Sequence, residues 1–180
     1  NLVYVKYIVD DHGAKKVQAD SMDLSQKASV ILQVATDDPA KMVAVKLKDR
    51  LENEKTDFSS AAKLFIVSDI EGNFAAFKKL LLAGGIIDAD FNWTFGNGHL
   101  VLTGDFVDRG SMVNEVLWLI YSLEDKAKAA GGYVHYILGN HEIMNLNGDL
   151  RYVHAKYMES AGLLREGFTS LYGEDAELGR

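Results

Sequence analysis

The sequence predicts an α/β domain built on a parallel sheet and preceded by a small antiparallel β meander. Three observations carry this. From Lys63 onward, apolar runs of strand length alternate with stretches of helical period. Each of those apolar runs ends in a polar, glycine-containing cluster. Before Lys48 the chain shows short runs of period two, separated by turn residues at intervals of about ten.

The N-terminal runs are Leu2–Val9, Lys16–Met22, Ser29–Thr36 and Met42–Lys48. Val3, Val5 and Tyr7 alternate with Tyr4, Lys6 and Ile8, and Val43, Val45 and Leu47 alternate with Ala44, Lys46 and Lys48. That alternation suits antiparallel strands with one covered face. Asp10-Asp11-His12-Gly13, Asp23 and Asp37-Asp38-Pro39 mark the turns. The polar stretch from Asp49 to Ser60 reads as a linker, dividing a β-rich region, residues 1–57, from a second domain, residues 58–180. Charge divides at the same place, with net −1 before it and −6 after it.

In the second domain, Leu64–Val67 is a continuous apolar run, the pattern of a strand covered on both faces. Asn73 is placed to cap a helix carrying Phe74, Phe77, Leu80 and Leu81 on one stripe, stopped at Gly84-Gly85. Leu100–Leu102 is the second strand. Ser111 opens a helix with Val113, Val116, Leu117, Ile120 and Ala127 on its apolar face, ending at Gly131-Gly132. Tyr133–Leu138 is the third strand.

Composition narrows the chemistry. The 180 residues are 48% hydrophobic with one proline, enough for one ordinary domain with a real core. No apolar run reaches the ~18–20 residues of a transmembrane segment. A net charge of −7 argues against a nucleic-acid partner held by bulk electrostatics. With no cysteine, thiol catalysis and Cys-type zinc sites are excluded, and a metal would fall to oxygen ligands and histidine.

The three clusters read Ser68-Asp69-Ile70-Glu71-Gly72-Asn73, Gly104-Asp105-Phe106-Val107-Asp108-Arg109-Gly110 and Gly139-Asn140-His141-Glu142. Ligands of open α/β sheets bind outside the carboxyl ends of the strands, so the clusters are expected to converge. Taken singly, each could be a helix entry or a tight turn. Together they bring Asp69, Glu71, Asp105, Asp108 and Glu142 to one place with Arg109 as the fixed positive charge. Crowded carboxylates repel unless some are protonated or a cation sits among them. Oxygen donors with an Asn carbonyl and a His suit Mn²⁺, Mg²⁺, Fe²⁺ or Zn²⁺. His135 and His99 are read as packing residues, His12 as solvated in a turn and His154 as either structural or lining the cleft. Gly72 and Gly96-Asn97-Gly98 are read as turn glycines, and Trp93 and Trp118 as packing residues.

GDFVDRG at 104–110 and GNHE at 139–142 resemble the signature motifs of the calcineurin-like metallophosphoesterases, in the branch holding the Ser/Thr protein phosphatases. SDIEGN at 68–73 occupies the place of that family's first motif, and GNHEIMNLNGDLRYV is similar to the Shewanella-like bacterial phosphatases. The resemblance covers residues 62–180 and leaves the N-terminal meander outside. It implies the first half of an α/β/β/α sandwich and a site for two divalent metal ions, with Mn²⁺ favoured over Fe, Zn or Mg. Asp69 would bind the first metal, Asp105 both and Asn140 the second. Glu71 stands where most members have a histidine, and would ligate as a harder, negative donor or not at all.

What the resemblance implies for mechanism is hydrolysis of a phosphate monoester by a hydroxide shared between metals about 3.5–4 Å apart. Arg109, Asn140 and His141 would bind the substrate. His141 would protonate the leaving oxygen, with Asp108 holding its imidazole. The expected substrate is a phosphorylated protein or peptide, or a small phosphate ester. A dinucleoside polyphosphate hydrolase on the same site and a non-catalytic module binding phosphorylated or anionic ligands are the alternatives. Members carry further histidine and arginine motifs that do not occur after Glu142, so the expectation is the front half of a domain, with the C-terminal half either a separate piece associated with it or a missing continuation of the polypeptide. A β-rich region ahead of such an enzyme, in a chain starting at Asn1, favours an exported or periplasmic location.

Overall fold

The computed structural model describes residues 2–9, 11–13, 15–51, 55, 57, 58, 61, 63–164, 167–173 and 176–179. Much of the expected linker, and the expected turn residue Asp10, lie outside the described residues, as do the side chains of Val3, Val5 and Tyr7.

Strands β1 (Leu2–Val9) and β2 (Lys15–Met22) pair antiparallel, as do β3 (Ile31–Ala35) and β4 (Met42–Lys46). The expected meander is thus two separate two-stranded sheets. A 3-10 helix, Leu24–Ser29, stands between them. The Asp23 carboxylate initiates it by accepting from the Ser25 N–H at 2.8 Å. Ser29, expected to open a strand, instead ends that helix, its hydroxyl donating to the Gln26 carbonyl.

The second region holds a three-stranded parallel sheet in the order β5 (Leu64–Val67), β6 (His99–Leu102), β7 (Tyr133–Tyr136). Helix α1 (Phe74–Ala83) follows β5, α2 (Val113–Ala129) follows β6, and α3 (Asn140–Leu146) follows β7. Two further helices, α4 (Ala155–Leu164) and α5 (Phe168–Leu171), come after them. Asn73 caps α1 by accepting from the Ala76 N–H at 3.1 Å. Ser111 does not cap α2. The hydroxyl of Tyr157, from α4, accepts the Val113 N–H at 2.7 Å and donates to the Ser111 carbonyl at 3.0 Å. A distant residue therefore does the work of a local cap. Helix α3 is short and mostly polar, so it carries too little apolar period to be read in advance.

One face of the sheet is covered. Val67, Leu100, Leu102 and Val134 form a single buried cluster with Phe74, Phe77 and Leu81 of α1 and Val116, Leu119 and Leu123 of α2. Val43 and Val45 of β4 join that same cluster, so the inner side of the second hairpin packs into the core built around the parallel sheet. Placing those two valines away from water is worth about 1.5–3 kcal/mol each.

On the other face Leu64 and Ile66 are 60% and 63% exposed, although their continuous apolar run predicted cover on both sides. Phe58 lies over part of this face, with ring centroids 4.5 Å from Tyr133 and 4.7 Å from His135. His99 Nδ1 and His135 Nε2 are 2.9 Å apart there. Both imidazoles pack against Phe58, but His135, expected in the core, is half-buried on this open face because the strand turns it away from α1 and α2. Among the described residues no helix is long and apolar enough to cross a membrane.

Candidate active site

The loops leaving β5, β6 and β7 meet at the carboxyl ends of the strands. The first two are zipped together by backbone hydrogen bonds. The Asp69 N–H donates to the Gly104 carbonyl, Glu71 to Asp105, Gly72 to Phe106 and Gly110 to Glu71, all at 2.9–3.1 Å. Gly72 has φ +67°, and a Cβ on it would lie 2.7 Å from Val113 and 3.0 Å from the Gly110 backbone. Glycine is required there for conformation and for closeness alike.

The backbone is strained where the chemistry-bearing side chains project. Asp69, Glu71, Asp105, Asp108 and Arg109 all have φ between 49° and 69°. Aspartate visits this left-handed region with some ease, whereas Glu71 and Arg109 do so at about 1–3 kcal/mol each. The interloop bonds, together with the Arg109 N–H donating to the Tyr152 carbonyl at 2.9 Å, hold the loops there.

Glu142 ties the second loop to the third. Its Oε2 accepts from the N–H of Asp105 and of Gly139, each at 2.8 Å. Its Oε1 accepts from Phe106 N–H at 2.8 Å, Val107 N–H at 3.3 Å and the Tyr136 hydroxyl at 3.0 Å. Burial alone pushes this carboxyl up, but the donors converging on it outweigh burial and hold it below its ordinary value. The same environment pushes the Tyr136 hydroxyl up, first through burial and then through the Glu142 charge. Sequence reasoning counted Glu142 among the crowded acids and missed this structural role. A signal was available, since an acid three residues after Gly139 is half of a capping box.

His141 and Asp108 are both buried, and His141 Nδ1 lies 2.8 Å from Asp108 Oδ2. The other Asp108 oxygen accepts from Asn145 Nδ2 at 2.9 Å. Tyr152 packs edge-on against the His141 ring at 5.2 Å, and the Arg109 guanidinium lies 5.5 Å from the Tyr152 ring centroid. Neither Asn145 nor Tyr152 was singled out in the sequence. Their signal was membership of the stretch GNHEIMNLNGDLRYV, which runs on directly from the third cluster. Asp108, Glu142, Asn145 and His154 also border a cavity of about 830 Å³ beside α2 and α4. The His154 Nδ1 accepts from the Lys156 N–H at 3.2 Å in the first turn of α4.

Asp105 Oδ1 accepts the His141 N–H at 2.9 Å, which sets the start of α3 against the second loop. Asp69 accepts from the Ser68 hydroxyl. Glu71 forms an ion pair with Arg109, so the one fixed cation of the motif is matched by the acid that replaces the expected histidine. Among the described residues, no three His, Asp or Glu side chains converge closely enough to hold a metal by themselves. The loops do carry oxygen donors in the Asp69 and Asp105 carboxylates and the Asn140 amide, a chemistry that fits a hard divalent ion.

The profile of the calcineurin-like phosphoesterases matches residues 62–177. The chain belongs to that family. Shewanella-like protein phosphatase 2 of Arabidopsis thaliana is 35% identical over 105 residues, which are 58% of this chain and 27% of the relative. Shewanella-like protein phosphatase 1 of Plasmodium berghei is 30% identical over 134 residues, 72% of this chain and 37% of the relative. The crystal structure of a cold-active protein-tyrosine phosphatase from a psychrophilic Shewanella superposes with a TM-score of 0.71 at 36% identity, covering 97% of this chain and 50% of that one. The chain therefore spans about half the length of that solved relative and less of the curated ones. The superposition takes in the N-terminal hairpins, which the motif resemblance had left outside.

Proposed function

We propose that the protein hydrolyses phosphate monoesters, acts on phosphorylated proteins or peptides and depends on divalent metal ions. The observation that carries this reading is the buried Asp108–His141 pair, held at 2.8 Å beside the loop that presents Asp105 and Arg109. Its support from relatives is the family match and the phosphatase names of the similar proteins.

In this reading Asp69, Asp105 and Asn140 hold the metal ions, with Mn²⁺ favoured, and Glu71 either contributes or stays paired with Arg109. When bound, the metals supply Lewis-acid polarisation of the phosphate and acidify water. Arg109 turns its planar fork to the phosphate oxygens. His141, carrying a proton on both ring nitrogens, donates Nδ1–H to Asp108 and gives its Nε2 proton to the leaving oxygen as a water oxygen replaces that oxygen on phosphorus.

The test is hydrolysis of a phosphopeptide by the intact protein with Mn²⁺, compared with Asp105→Asn and His141→Ala. Each substitution is expected to lower kcat by about 100-fold or more. Rates within about twofold of the parent in both variants would remove the assigned roles.

A further inference from the structure

From the geometry around Asp108 we infer that Asn145 is a positioning residue for proton transfer, fixing the rotation of the Asp108 carboxylate and through it the His141 ring. This rests on the phosphoesterase reading above.

The argument starts from helix spacing. His141 and Asn145 are one turn apart on α3, so both side chains leave the same face of the helix. They grip opposite oxygens of one carboxylate, His141 Nδ1 at 2.8 Å from Oδ2 and Asn145 Nδ2 at 2.9 Å from Oδ1. Asp108 is 2% exposed, so protein groups must satisfy its oxygens.

The terminal torsion of an aspartate is broad, and one hydrogen bond leaves the carboxylate free to rock about it. A second donor on the other oxygen removes that freedom. The imidazole is then held by a carboxylate whose plane is itself held. Asn145 has this contact as its hydrogen bond to protein, and its own Oδ1 is buried without a protein partner among the described residues. Turning the amide over would set Oδ1 against a carboxylate oxygen, acceptor against acceptor, so the N–H must face Asp108.

A residue present merely for packing predicts something different from a donor acting through Asp108. The experiment measures kcat and KM of the intact phosphatase on para-nitrophenyl phosphate for Asn145→Ala and Asn145→Asp. The second variant keeps the volume and replaces the donor by a carboxylate facing Asp108, so it carries the test where Asn145→Ala folds poorly. Both are expected to lower kcat about tenfold or more with KM within about twofold. In an Asp108→Ala background, adding Asn145→Ala is expected to cost nothing further.

Wild-type kcat in Asn145→Asp would overturn the inference, as would an equal loss from Asn145→Ala in both backgrounds. The imidazole Nδ1–H proton resonance of His141 gives a readout independent of turnover. It is expected to move or to vanish by exchange in both Asn145 variants, and an unchanged resonance would also overturn the inference. Failure of the wild-type protein to hydrolyse any phosphate ester would refute the phosphoesterase reading alone, with the resonance still deciding the role of Asn145.

Discussion

Glu142→Gln removes one charge and changes almost no volume, yet it strikes the bonds that join two loops of the site. In the native protein Oε2 accepts two backbone N–H groups at 2.8 Å, while Oε1 accepts Phe106, Val107 and Tyr136. A glutamine must set its NH₂ against one of these groups of donors. In the first orientation the N–H groups of Asp105 and Gly139 lose their acceptor; in the flipped one, those of Phe106 and Val107 do. A buried donor left unsatisfied costs about 1–3 kcal/mol. Two of them, eased by partial relaxation, give an expected loss of about 3 kcal/mol, or a melting temperature lower by about 6–12 °C for a chain of this size.

The loss has a pH signature. The native Glu142 carboxyl is held below its ordinary value, so its contribution is complete above the unfolded carboxylate pKa of about 4.3. It is lost as the pH falls through the lowered native value. Urea unfolding of parent and variant at neutral pH and in acid is the assay, and the stability gap between them is expected to narrow on acidification. A gap below about 1 kcal/mol at neutral pH, or one that does not narrow, would refute the assigned role of the carboxylate.

Other predictions concern separate parts of the site. Gly72→Ala, at φ +67° and 2.7 Å from Val113, is expected to destabilise by about 2 kcal/mol or more, measured by thermal melting. Arg109→Lys keeps the charge but loses the planar fork, and is expected to raise KM for a phosphopeptide several-fold; an unchanged KM would place the guanidinium away from substrate. Chelation of divalent ions is expected to abolish phosphopeptide hydrolysis and Mn²⁺ to restore it, and full activity in chelator would remove the metal from the reading. Tyr157→Phe removes the hydroxyl that accepts the Val113 N–H and donates to Ser111, and is expected to cost about 1–2 kcal/mol, measured by urea unfolding.

The parallel strands, the two long helices after β5 and β6 and the three clusters at the strand ends were legible because each depends on local sequence. An apolar run of three or more residues, a 3.6-residue period and a closing glycine need no distant partner to be recognised. Asp69, Glu71, Asp105, Asp108, Arg109, Asn140 and His141 were named from those motifs, and the family they indicate is the one to which the chain belongs.

What tertiary structure alone decided depends on groups far apart in the chain. The start of α2 is set by Tyr157, 44 residues beyond Val113. The order of the site rests on Glu142 reaching back to the 105–107 backbone and on Asn145 reaching Asp108. The positive φ angles of Glu71 and Arg109 run against local preference and persist because several loops bond to them at once. Sequence period reports which side chains prefer burial, but a buried carboxylate shows its purpose only when its donors are in place. The residues of the site were written locally; their geometry is a property of three loops closing on one another.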